Sequence, residues 1–252
     1  MAIKITPHEI EKVVNFTNDS LRYTFVRSCY PMALPEVIAY LNRHIRADPL
    51  HRQDTYADYL TGLYQCWIDA GVLSVPDQVG RCQSVEQFMD TMAQFNFSLE
   101  DMYGTFYYLA YGFLPRNFYL RDLIEKGDDE MGEMCVTLRK AGYPNTLDLL
   151  EKARTRKGRA ALAIETGVPE RYIEELVNRA DFTRMGTTAG NMVRTYINSG
   201  VSSLAMLCEM PLEDLMNAAT AYLATLGKVP KYGMDLPAAQ AQARCLPQIV
   251  EL

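Results

Sequence analysis

Four cations, Arg154, Arg156, Lys157 and Arg159, fall within six positions of one another. A cluster of that density can hold phosphate or the acidic surface of a partner protein. It lies beside an expected helix start, where exposed amides and the helix dipole also favour an anion. The structural alternative is a solvated basic face, docked on the acidic N-terminal half. A second unusual stretch is Met102-Tyr103-Gly104-Thr105-Phe106-Tyr107-Tyr108-Leu109-Ala110-Tyr111-Gly112-Phe113-Leu114. Its aromatic residues fall all round a helix, which predicts burial on several sides and a role in core packing. Gly104 and Gly112 would admit a close helix crossing or an apolar ligand. In that case Tyr103, Phe106, Tyr107 and Tyr111 would line a small-molecule pocket or a partner interface.

Motifs for catalysis are missing from the sequence. The three histidines are His8, His44 and His51, and Pro49 interrupts any helix that would join the last two, so no metal site is expected from them. The six cysteines, at 29, 66, 82, 135, 208 and 245, are too scattered for a zinc ligand pair or a redox Cys-x-x-Cys, and read as buried, reduced thiols. There is no Gly-rich phosphate loop, His-Glu-x-x-His, nucleophile elbow or EF-hand loop. Paired carboxylates such as Asp128 and Asp129 read as loop solvation. No cofactor is implied, and a non-enzymatic role is expected.

The elements that would position these residues are helices. Thr6-Pro7-His8-Glu9 joins a hydroxyl N-cap, a proline at the first helical position and a glutamate three residues after the cap. Pro35, Asp54, Ser84, Ser98, Pro169 and Pro211 head further segments of helical periodicity. Gly71, Gly127, Gly142, Gly167, Gly200 and Gly227 fall where such helices would close in a left-handed turn. The predicted fold class is all-α.

With 252 residues, 48% apolar and 22% charged, the chain is long enough for one large domain or two smaller ones and is not of disordered composition. Its longest uncharged stretches fall short of the roughly 18–20 apolar residues of a membrane span. The first residues lack the apolar core of a secretion signal, so a cytoplasmic protein is expected. Residues 1–135 carry 11 basic and 19 acidic side chains, net −8, and residues 136–252 carry 14 and 12, net +2. That asymmetry predicts a seam near residues 127–133, with an aromatic-rich helical bundle over 1–126 and a second domain over 127–252.

The second domain contains an internal echo. Ala141-Gly142-Tyr143-Pro144-Asn145-Thr146-Leu147 and Ser199-Gly200-Val201-Ser202-Ser203-Leu204 each read as helix, glycine stop, polar cap and next helix. Between the copies lie Lys157-Gly158-Arg159, Leu162-Ala163, Thr166-Gly167 and Val177-Asn178-Arg179-Ala180-Asp181, with Arg184 shortly after. This ordered string, over roughly residues 127–230, resembles a helix-hairpin-helix-like family catalogued as domain of unknown function 4332.

The resemblance implies tandem hairpins related to those that present backbone amides to a DNA phosphate. Such a turn takes Gly, apolar, Gly, so that the phosphate meets bare backbone. Counting back from the echo glycines puts the hairpins on Asp129-Glu130-Met131 and Thr187-Thr188-Ala189, which lack those glycines, and the first places two carboxylates where a phosphate would sit. Ala163, Gly167 and Ile173 also match helix-turn-helix spacing, but Glu170, Glu174 and Glu175 would face the duplex, so a structural corner is expected there. The expected function is a non-catalytic protein interaction or assembly module with a protein partner or self-association, no membrane and no nucleic acid. The alternatives are a nucleic-acid binder with altered hairpins, and a small-molecule carrier or enzyme using the Tyr-rich helix.

Overall fold

The computed structural model describes residues 6–46, 54–112, 114–186, 188, 190–229 and 236–251. Fifteen α-helices form among them, and the strand-like features there are two isolated bridges, Ala33 with Ser74 and Tyr119 with Asn145. The fold is all-α. No described helix is long and apolar enough to cross a membrane.

The chain divides into two compact units, Met1–Gly112 and Phe113–Leu252. This division lies upstream of the seam expected near residues 127–133. The residues between the two positions pack into the second unit: Leu120 and Leu123 are buried, Thr146 donates to the Arg116 carbonyl at 2.5 Å, and Leu123 joins the second unit's core. Charge composition marks no such boundary, because buried leucines rather than surface charge decide which core a segment joins.

The first unit comprises α1 (Pro7–Leu21), α2 (Tyr23–Cys29), α3 (Leu34–Leu41), a π-helical turn (Asn42–Arg46), α4 (Asp54–Asp69), α5 (Val75–Gly80), α6 (Val85–Phe95) and α7 (Leu99–Gly112). Helix α1 starts as its sequence dictates: the Thr6 hydroxyl accepts from the Glu9 amide at 3.3 Å, and the Glu9 carboxylate accepts from the Thr6 amide at 2.7 Å. Helix α7 repeats the device with Ser98 and Asp101 at 3.1 and 2.9 Å. The core is an aromatic cluster around Trp67, with Phe95 at 4.9 Å, Phe97 at 5.5 Å and Phe106 at 6.3 Å between ring centres.

The second unit comprises a 3-10 turn (Leu120–Leu123) and α8 (Asp129–Lys140), α9 (Thr146–Ala153), α10 (Arg156–Thr166), α11 (Glu170–Phe182), α12 (Gly190–Asn198), α13 (Leu204–Glu209), α14 (Leu212–Thr225) and α15 (Leu236–Ala243). The two echoed segments fold alike. Gly142 and Gly200 take φ of +96° and +85°, and the residue after each reaches back to close its helix, Tyr143 N to Leu138 O and Val201 N to Tyr196 O, both at 2.9 Å. The corner between α10 and α11 turns at Gly167 over Leu162, Val168, Ile173 and Leu176, all buried.

Candidate functional site

The Tyr-rich helix α7 has two different aromatic sides. Phe106 is fully buried, with Phe88 at 6.4 Å in addition to Trp67. Tyr103, Tyr107 and Tyr111, four residues apart, form a ladder on another face, with ring centres 5.4 and 5.0 Å apart. Phe16 of α1 sits over its first half, 5.6 Å from Tyr103 and 6.2 Å from Tyr107. Tyr107 is half-buried, whereas Tyr103 and Tyr111 stay 41% and 43% exposed. The structure thus brings Tyr103, Tyr107 and Tyr111 together and turns Phe106 away from them. Burial on several sides holds for Phe106, Tyr108 and Leu109 and does not extend to the ladder. Phe113, next to last in the aromatic stretch, lies outside the described residues.

Two tyrosines of α4 border this helix. Burial first, then a 3.0 Å hydrogen bond to Asp101, pushes the Tyr59 hydroxyl up to about 12. Asp101 itself is pushed up by burial, but the Ser98 and Tyr59 hydrogen bonds outweigh that and hold it below the usual carboxylate range. Burial raises half-buried Tyr56, with a smaller contribution from Tyr107. These hydroxyls are neutral at physiological pH, so the face is aromatic and hydrogen-bonding, with Asp101 as its anion. The bare α-carbon of Gly104 is met by Tyr59, whose hydroxyl would stand 3.5 Å from a Cβ there.

The four cations around the start of α10 separate. Arg159 is buried, its guanidinium turned to the Arg154 carbonyl at 3.4 Å, while Arg156 and Lys157 are exposed and Arg154 is half-buried. The anion at this helix start comes from the chain itself. The Glu251 carboxylate accepts from the Arg156 amide at 2.9 Å, the Glu251 amide donates to the Arg154 carbonyl at 2.9 Å, and the Thr155 hydroxyl accepts from the Gly158 amide at 3.0 Å. Gly158 is obligatory, because a Cβ would stand 2.3 Å from the Lys152 carbonyl oxygen.

The positions counted as hairpins fall differently. Asp129-Glu130-Met131 is the first turn of α8, because Asp128 caps the helix by accepting from the Met131 amide at 3.0 Å. The turn before it carries Gly127 at φ +92°. Of the second triplet, Thr188 is buried, and Thr187 and Ala189 lie outside the described residues. At the start of α12 a Cβ on Gly190 would stand 2.7 Å from the Asp122 carbonyl oxygen, which also accepts from Arg194 at 2.6 Å. Backbone from the 3-10 turn therefore occupies the space beside that helix start.

Sequence reasoning quoted Arg179, Asp181 and Arg184 for the family resemblance but assigned them no structural role. Arg179 is buried and donates to the Leu123 carbonyl at 2.8 Å and to Glu175 at 2.6 Å. Arg184 and Asp181 form a buried ion pair at 2.6 Å, and Arg184 also donates to the Pro247 carbonyl at 2.7 Å. The available signal was spacing: Glu175 and Arg179 are four apart, Asp181 and Arg184 three apart, each on one helical face. The cysteines are free thiols, with Cys29, Cys82 and Cys135 buried, Cys208 and Cys245 half-buried, and Cys66 exposed against expectation. No group of three metal-ligating side chains assembles among the described residues.

No curated protein and no solved structure matches the chain. Residues 131–235, within the second unit, match the model of the family described as domain of unknown function DUF4332, and that stretch is similar to it.

Proposed function

We propose that the protein is a non-catalytic interaction module, in which the first unit offers the tyrosine ladder to a protein partner and the second is a tandem helix-hairpin-helix-like scaffold. The observation that carries this reading is the exposure of Tyr103 and Tyr111 at the two ends of a row of three closely spaced rings. Tyrosine combines a large apolar area with a hydrogen-bonding tip and few rotatable bonds, which is why it is enriched where proteins bind one another. The nucleic-acid alternative draws less support. The start of α8 carries Asp128, Asp129 and Glu130, the start of α12 meets a carbonyl, and Glu251 sits at the start of α10, so these three helix starts already face a protein oxygen.

The test compares the full chain with Tyr103→Ser/Tyr111→Ser. Affinity capture from the native host, read by quantitative mass spectrometry, and sedimentation of the purified protein are run on both. A partner or self-association lost in the double variant, with unchanged far-UV circular dichroism, supports the reading. If every captured protein is retained and both forms sediment as identical monomers, the ladder is not a binding surface.

A further inference from the structure

The second unit contains a cavity of about 280 Å³ between α11, α13 and the segment after α15. That size is near the lower end of small-molecule sites and suits a metabolite rather than a polymer. Its lining carries two positive charges, Arg184 and Arg244, and two negative ones, Asp181 and Glu209. The buried pair of Arg184 and Asp181 is matched internally at 2.6 Å. Arg244 and Glu209 are both exposed and no ion pair joins them. Arg244 commits its Nε to the Cys208 carbonyl at 3.0 Å. The rest of the lining is mixed, with Leu204, Leu246 and Val250 supplying apolar surface beside the polar Ser203 and Gln248.

The half-buried Cys208 thiol lines the same cavity and feels all four charges. Burial pushes it up, Arg244 and then Arg184 pull it down, and Asp181 and Glu209 push it up again. A simple anion in this cavity would face Glu209, and a simple cation would face Arg244. A molecule that carries both a negative and a positive group pairs with each.

We propose that this cavity binds a free α-amino acid with an apolar side chain, its carboxylate on Arg244, its ammonium on Glu209 and its side chain against Leu204 and Leu246. The site lies in a different unit from the tyrosine ladder and stands or falls independently of it.

Calorimetric titration of the full chain with L-leucine, L-valine and L-methionine tests the proposal, with N-acetyl-L-leucine and L-leucinamide as probes that each lack one charge. At least one of the three amino acids is expected to bind with a Kd of about 1 mM or tighter, and each blocked leucine at least about tenfold more weakly than leucine itself. Arg244→Gln and Glu209→Gln, both at exposed positions, should each weaken binding about tenfold without altering the circular dichroism. Bound amino acid should also slow alkylation of Cys208 by N-ethylmaleimide, read by peptide mass spectrometry, while exposed Cys66 reacts at an unchanged rate. Absence of binding by all three amino acids at about 10 mM overturns the proposal. So does equal binding of the blocked leucines, or full binding by both variants.

Discussion

Phe106 and Tyr103 lie three residues apart on α7, and truncating them should have unequal consequences. Phe106 is fully buried between Trp67 and Phe88, so Phe106→Ala leaves a cavity in the centre of the first unit. Such truncations cost about 3–5 kcal/mol, the transfer of the ring plus the void that neighbours cannot refill. Tyr103 is 41% exposed and loses ring contacts with Phe16 and Tyr107. Aromatic pairs contribute about 0.5–1.5 kcal/mol each, and solvent exposure keeps Tyr103→Ala near about 1 kcal/mol. Trp67 is the one tryptophan of the chain and sits inside this core, so urea unfolding monitored by its fluorescence reports on the first unit. With a denaturant slope of about 2 kcal/mol/M, Phe106→Ala should lower the midpoint by about 1.5–2.5 M and Tyr103→Ala by about 0.5 M. Equal shifts, or a larger one for Tyr103→Ala, would refute the division of α7 into a core side and an exposed side.

Three further outcomes concern the second unit. Gly158→Ala normally favours a helix interior, yet here the new methyl would meet the Lys152 carbonyl at 2.3 Å. It should cost about 1–3 kcal/mol in denaturation monitored by circular dichroism, and a stabilised variant would contradict the close approach. Asp181→Leu leaves the Arg184 guanidinium buried without its carboxylate and should destabilise by about 3–5 kcal/mol, while Asp181→Leu/Arg184→Met recovers most of the loss. A double variant no better than the single one would show that the pair is not coupled. The Lys152 ammonium, first, and the Tyr143 hydroxyl hold the exposed Glu165 carboxyl below its ordinary 4.5. A depressed folded-state value stabilises the fold above 4.5, and that contribution disappears as pH falls through the folded value. Carboxyl NMR should find the Glu165 midpoint below 4.5 in the parent and near it in Lys152→Met. A parent midpoint at or above 4.5 would remove the bridge from the account.

Features fixed within a few residues were readable from the sequence. Thr6 with Glu9, Ser84 with Gln87 and Ser98 with Asp101 cap helices as their spacing dictates, since the hydrogen bonds close inside one turn. Gly142 and Gly200 end theirs for the same reason. The facing of α7 was not readable, because aromatic residues on all sides leave periodicity with no preferred direction, and only the packing of α1 and α4 separates Phe106 from the ladder. The hairpin register was missed by a local competition. Counting back from Gly142 ignores Asp128, a strong N-cap that starts α8 at Asp129 and so places the triplet inside the helix. The Glu251 contact was invisible because 95 residues separate it from Arg156.

These contacts share a physical pattern. A helix start with free amides attracts an oxygen anion, and a glycine there lets the anion reach the backbone. This chain keeps glycines at the starts of α10 and α12 yet brings its own oxygens to them: Thr155 and Glu251 at one, the Asp122 carbonyl at the other. Close approach is therefore used for internal packing, and Cβ atoms at Gly158 and Gly190 would be excluded by protein rather than by a ligand. The tight turns at these two helix starts thus serve packing within the second unit. The proposed binding role is accordingly placed on surface that packing leaves open, and on the first unit Tyr103 and Tyr111 are exposed aromatic surface of that kind.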